Sequence, residues 1–158
     1  MKNKTKALVI GALIAALYAV LTYVSAALGL AYGAIQFRLS EMLTVLPLFT
    51  PYATAGLTVG CIISNIGSSL GPVDMLFGTL ATLMAALSMR LLRKKLPLPL
   101  LLLFPAIANG LIIGAELAIF LGGVGFFYAA ATVAAGEVAV LYICGWPLCS
   151  FLKKNPLF

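Results

Sequence analysis

The sequence predicts an all-α membrane protein with six transmembrane helices, a single domain over residues 1–158, and both termini in the cytoplasm. Three observations carry that expectation. Charged residues make up 9% of the chain and hydrophobic ones 63%, whereas soluble domains carry about 25% charged residues, so a water-soluble globule would lack polar surface. Apolar stretches close to the roughly 20 residues of a membrane helix recur along the chain. The ten Lys and Arg residues cluster between and beyond these stretches, while all four acids, Glu41, Asp74, Glu116 and Glu137, lie within them or at their rims.

The first span is expected from about Lys6 to Leu28. Its basic start and apolar run imitate a signal peptide, but the run is long and lacks a clear cleavage site, so a retained helix is expected. A connection rich in Gly, Tyr and Ala (Gly29 to Ile35) leads into Gln36-Phe37-Arg38-Leu39-Ser40-Glu41. A short second span follows to about Thr50, and Pro51 opens a third, Tyr52 to about Leu70. Gly71-Pro72-Val73-Asp74 reads as a turn and helix start, and the fourth span runs to about Leu92. Arg90, Arg93, Lys94, Lys95 and Pro97 end it. The fifth extends from about Leu98 to Leu121, with Pro99 and Pro105 in its first turns, and Gly122-Gly123-Val124-Gly125 breaks it. The sixth continues to about Leu152, before Lys153-Lys154, with a kink expected at Pro147.

An even number of spans puts both termini on one side. Nine of the ten basic residues then face the same compartment, with Arg38 the exception. The positive-inside rule makes that compartment the cytoplasm. A missed or extra helix would scatter the clusters, so the agreement supports six. The same pattern explains the net charge of +6 by membrane orientation, and no nucleic-acid partner is expected.

This topology gathers the polar residues. Arg38 and Glu41 fall at the outer end of the second span, Asp74 at the outer start of the fourth, and Asn65 one to two turns below the outer end of the third. Glu116 lies roughly 8 Å inside the outer end of the fifth span. Asn109 is deeper on nearly the same face, and Glu137 is nearest the midplane. A carboxylate at membrane depth costs roughly 2.5 kcal/mol or more and marks a functional site by default. The expectation is a pocket open to the outside, suited to a small polar solute that donates hydrogen bonds or carries positive charge.

Each residue also has a plainer role. Arg38 and Glu41 are three apart and can form a helical ion pair. An acid at Asp74 complements the dipole of a helix start. Glu116 and Glu137 can be protonated and bonded to a neighbouring helix, and Asn65 and Asn109 can link helices. Tyr18, Tyr23, Tyr32, Tyr52 and Tyr128 are expected mostly in the interfacial belt, with one available to stack on a planar ligand. Cys61, Cys144 and Cys149 read as small packing residues. In the first span Gly11, Ala12, Ala15, Ala16 and Ala19 make overlapping small-xxx-small patterns that admit a close helix, of this chain or of another.

With no His, the usual catalytic triad is excluded and a metal site is not expected. No phosphate-binding GxxxxGK[ST] loop is present, so the chain has no evident nucleotide-hydrolysing engine. No internal repeat of the kind found in secondary carriers is visible. Neither enzyme activity nor a cofactor is expected.

The string Ala34-Ile-Gln36-Phe-Arg38-Leu-Ser40-Glu41, followed by Leu46-Pro47, Gly60, Asn65, Gly71-Pro72-Val73-Asp74 and Gly78-Thr79-Leu80-Ala81-Thr82, resembles the QueT family over nearly the whole chain. Members are substrate-binding S components of energy-coupling factor (ECF) transporters for queuosine precursors. The resemblance implies solute capture from outside, and docking on a transmembrane coupling subunit that carries two ATPase subunits. It also implies toppling of the S component in the bilayer as the transport step. An AxxxA-type surface on the first helix would meet the coupling subunit, which falls here on Ala12 and Ala16, or on Ala15 and Ala19. A deazaguanine presents N–H donors that a carboxylate accepts, and an aminomethyl group adds a cation. Glu41, Glu116 and Glu137 are the expected acceptors, with Asn65 and Asn109 on the remaining edge. Arg38 is expected on the ligand carbonyl or holding Glu41, and Asp74 as ligand contact or cap. The alternative is a proton- or cation-coupled secondary carrier using Glu116 and Glu137.

Overall fold

The computed structural model describes residues 2–32 and 36–155; Gly33, Ala34 and Ile35 of the expected first connection lie outside the described residues. Every regular element among the described residues is helical. The α-helices are α1 (Lys2–Ala27), α2 (Tyr52–Asn65), α3 (Pro72–Leu92), α4 (Leu98–Leu101), α5 (Leu103–Phe120), α6 (Phe126–Val140) and α7 (Trp146–Lys154). A 3-10 helix covers Leu39–Leu48, and a π-helical turn, Leu141–Gly145, joins α6 to α7. Among the described residues, four stretches are long and apolar enough to cross a membrane: Lys4–Ala27, Pro72–Leu92, Leu98–Phe120 and Phe126–Lys154. Their outward faces expose large apolar side chains such as Leu8, Leu13 and Leu17 of α1 and Leu76 and Leu80 of α3. That surface suits lipid, and the protein is a multi-pass membrane protein.

The sequence reading and the structure part at the second span, where an α-helix was the expectation. The chain instead winds as a 3-10 helix of 10 residues, unusually long for that form. At about 2 Å rise per residue it reaches about 20 Å, where an α-helix of equal length reaches about 15 Å. Three residues per turn sort its side chains into rows. Leu43 and Leu46 pack with Ile14, Tyr18 and Leu57; Val45 packs with Met89, Leu101 and Leu141; Glu41 and Thr44 form a third, polar row. The segment touches α1, α2, α3, α6, α7 and the π turn, so it runs through the middle of the bundle. Where a kink at Pro147 was the expectation, a π-helical turn precedes Pro147, which occupies the first turn of α7.

Small residues bring the outer helices together. A Cβ at Gly56 would lie 2.7 Å from the Gly11 carbonyl oxygen, and one at Gly60 2.8 Å from that of Ala15, so α1 and α2 are nearly in backbone contact. A Cβ at Gly114 would lie 2.7 Å from Ala130 Cα, and one at Gly110 3.0 Å from the Ala134 Cβ, which does the same for α5 and α6. Such packing supplies dispersion energy where lipid removes the hydrophobic drive between helices.

Candidate functional site

Polar side chains are sparse in these helices, and they recur at helical spacing. In α1, Tyr18, Thr22 and Ser25 share one face, and all are buried. Thr22 Oγ1 donates to the Tyr18 carbonyl (2.9 Å) and also bonds Ser40 Oγ (2.8 Å). Ser25 Oγ accepts the Leu39 amide at 2.9 Å. These bonds fasten the start of the 3-10 helix to α1 and aim Glu41 inward.

The four acids then meet as two pairs. Glu41 accepts the Tyr18 hydroxyl and is apposed to Glu137 of α6. Asn109 of α5 donates Nδ2 to Glu137 Oε1 at 3.0 Å. Asp74, in the first turn of α3, accepts the Ser68 hydroxyl and is apposed to Glu116 of α5. Arg38 is bonded towards the second pair: its Nη2 donates to Asn65 Oδ1 at 3.0 Å, and Asn65 Nδ2 donates to the Asp74 carbonyl at 2.9 Å. The guanidinium charge acts on Glu41, Glu116 and Glu137 alike. All seven polar residues singled out in the sequence therefore belong to one buried layer, between 0% and 8% exposed.

Two glycines make the layer possible. A Cβ at Gly136 would run into the Gln36 carbonyl, so only glycine lets the stretch before Arg38 pass against α6 beside Glu137. A Cβ at Gly78 would overlap the Asn65 amide. On α5, the close approach at Gly110 sets neighbouring Asn109 against α6 and hence within reach of Glu137.

Not every bonding capacity is used inside the protein. Arg38 Nε, Glu41 Oε2 and both carboxyl oxygens of Glu116 are buried with no hydrogen-bond partner among the described residues. An unmet buried group costs about 1–3 kcal/mol, more when charged. Their concentration in one layer leaves both acceptor and donor capacity there for a group that supplies the missing partners. Among the described residues no group of three or more His, Cys, Asp or Glu is arranged to hold a metal ion.

Several placements differ from the plainer expectations. Tyr18 is not a belt residue but fully buried in the layer, and it also lies 3.5 Å from Thr82 Oγ1. Tyr23 and Tyr32 donate to the carbonyls of Ile63 (2.9 Å) and Ser64 (2.6 Å), pinning α1 and the segment after it to α2. Arg38 and Glu41 take separate partners, Asn65 and Tyr18. Cys61 is buried as expected, with its sulfur 3.2 Å from Thr82 Oγ1 and 3.4 Å from Asn65 Nδ2. Tyr18, Thr82, Ser68 and Gly136 went unnoticed as site residues in the sequence. The spacings Tyr18-Thr22-Ser25 and Asp74-Gly78-Thr82 are signals that find the first two.

The small residues of α1 divide. Ala15 and Ala19 are buried inside the chain, Ala15 against Gly60. Ala12 and Ala16 are exposed, and Ala12 lines an apolar groove of about 380 Å³ with Leu8, Tyr52 and Ala55.

Comparison with known proteins adds to this geometry. The family model described as QueT transporter matches residues 8–154. The chain is similar to a queuosine precursor transporter QueT of Lactococcus lactis subsp. cremoris (strain MG1363), 43% identical over 82 residues, covering 52% of this chain and 48% of that protein. The chain thus matches about half the length of that relative. No solved structure matches.

Proposed function

The chain belongs to the QueT transporter family, and we propose that it is the membrane-embedded substrate-binding component of an ECF-type importer for a queuosine precursor. It captures a deazaguanine, such as aminomethyl-deazaguanine or queuine, from outside and hands it to a separate ATP-driven module. The observation that carries this reading is the buried layer of two carboxyl pairs with Arg38 among them. A deazaguanine edge offers adjacent N–H and NH2 donors to a carboxylate, and an aminomethyl cation is balanced by a second one. Charge-assisted bonds of this kind are about twice as strong as neutral ones. In this reading Glu41, Glu116 and Glu137 take those groups, Asn65 and Asn109 read the remaining edge, Arg38 faces the carbonyl, and Asp74 supports Glu116.

The topology is six spans with both termini cytoplasmic. Besides the four long spans, α2 and the 3-10 helix cross, each reaching about 20 Å and completed by its flanking turns. Placing Lys2, Lys4, Lys6, Arg90–Lys95 and Lys153-Lys154 on one side supports the orientation. Partner docking falls on Ala12 and Ala16, whose exposure supports that register over Ala15 and Ala19. Ala16→Trp is expected to abolish co-purification with a coupling subunit while sparing solute binding; normal complex yield sinks the assignment.

Calorimetric titration of the purified protein alone with aminomethyl-deazaguanine, guanine as competitor, tests the substrate. Tight binding without any partner supports the reading, and no heat with any deazapurine overturns the ligand class. The apposed carboxyls of Glu41 and Glu137 also favour a second reading, a proton- or cation-coupled carrier. Uptake by the protein alone in liposomes under a proton gradient supports that carrier, whereas an S component needs partner subunits and ATP.

A further inference from the structure

We infer that the basic end of the bundle is a binding site for the headgroup of an anionic phospholipid. The turn after α3, the end of the 3-10 helix and α7 enclose a cavity of about 390 Å³, within the size range of small-molecule sites, about 300–1,000 Å³. Its cations are Arg93, Lys94 and Lys153, and its apolar wall includes Leu48, Phe49 and Leu98. Among the described residues none lining it is acidic; the acids of this chain lie in the layer described above. Arg93 Nη1 donates to the Leu48 carbonyl at 3.3 Å, which holds the guanidinium at the cavity wall with its other N–H groups free to bond.

Complementing helix dipoles accounts for Lys153 and Lys154 in the last turn of α7. It does not account for a concave site where cations from two separate segments converge above apolar side chains. Leu48 and Leu98 are continuous with the cluster of Val45, Met89 and Leu101 inside the bundle. A phosphodiester over acyl chains has the same two-part character: an anion for the Arg fork and two ammonium groups, and hydrocarbon for the wall. A soluble phosphate uses only the first part, and an acidic protein segment leaves the second without a counterpart.

The test uses the full chain in neutral detergent, with native mass spectrometry counting retained phosphatidylglycerol and, separately, phosphatidylcholine. The Lys94→Gln/Lys153→Gln variant keeps the Arg93–Leu48 bond and is expected to retain phosphatidylglycerol about thirtyfold more weakly, with phosphatidylcholine unchanged. Lys4→Gln/Lys6→Gln, equal in charge change and outside the cavity, is expected to keep it. Equal loss in both variants, or no preference over phosphatidylcholine, overturns the site. Complete displacement by inorganic phosphate assigns it to a soluble anion and overturns the lipid. Retained phosphatidylglycerol together with lost co-purification of a coupling subunit assigns the surface to a protein and likewise overturns it.

Discussion

The two ends of this bundle gather residues of opposite formal charge under opposite physical conditions. Asp74, in the acid layer, and Leu92, at the basic end, are separated by about 27 Å along α3. In the layer, Glu41, Glu116 and Glu137 are almost fully shielded from solvent, and an ion removed from water costs several kcal/mol unless it is paired. At the other end Arg93, Lys94 and Lys95 are exposed; long stems lie along apolar surface while the charge stays solvated. The lesson is that equal formal charge has unequal consequence. Each acid in the layer needs a partner and reports on binding, whereas a single cation at the far end can be lost with little effect.

The largest expected effect comes from the residue that holds the layer together without being polar. Gly136→Ala drives a methyl group into the Gln36 backbone, and backbone has less freedom to yield than a side chain. Overpacking of this kind costs about 3 kcal/mol. Thermal unfolding should show a fall in Tm, and solute binding should fall with it, because Arg38 and Glu41 follow directly on the displaced stretch. An unchanged Tm means that the 36–38 stretch does not pass against α6 as described.

A step smaller, and more selective, is Glu116→Gln. Both of its oxygens lack a protein partner among the described residues, so the neutral amide leaves internal bonding nearly intact and relieves the apposition to Asp74. Tm should hold or rise. Affinity for a cationic solute should drop roughly 10- to 100-fold, the worth of a hydrogen bond to a charged group, about 1.5–3 kcal/mol. Unchanged affinity removes Glu116 from the site and leaves its burial to be explained by helix packing alone.

The layer was legible because acids in apolar helices are costly, and so the ones present stand out. Helical spacing then placed them at staggered depths in the outer half of the bundle, which needed no tertiary knowledge to set. Pairing was not legible: that Glu41 meets Glu137 and Asp74 meets Glu116 depends on which helices are neighbours. The 3-10 form was hidden too, since Leu39–Leu48 has a composition equally compatible with an α-helix, and its central position only emerges from the three rows of contacts. Tyr18 was misread because tyrosine at membrane depth usually marks an interface; its spacing to Thr22 and Ser25 was the discriminating clue. The small-residue stripe of α1 showed that some helix packs closely, but it took α2's Gly56 and Gly60 to decide that Ala15 is used internally.

Lys95→Gln is the smallest expected effect and the control on the whole comparison. Lys95 is exposed, like its neighbour Lys94, but it does not line the basic cavity. Its removal lowers the formal charge of that end by one unit, the same formal change in magnitude as Glu116→Gln in the layer. Surface substitutions of this kind stay within about 0.5 kcal/mol, so Tm and solute affinity should match the parent protein. If Lys95→Gln weakens solute binding as much as Glu116→Gln does, the response follows total charge rather than position. The acid layer would then lose its special standing, because a long-range field acting across about 27 Å should be largely screened at physiological salt, where the Debye length is about 8 Å.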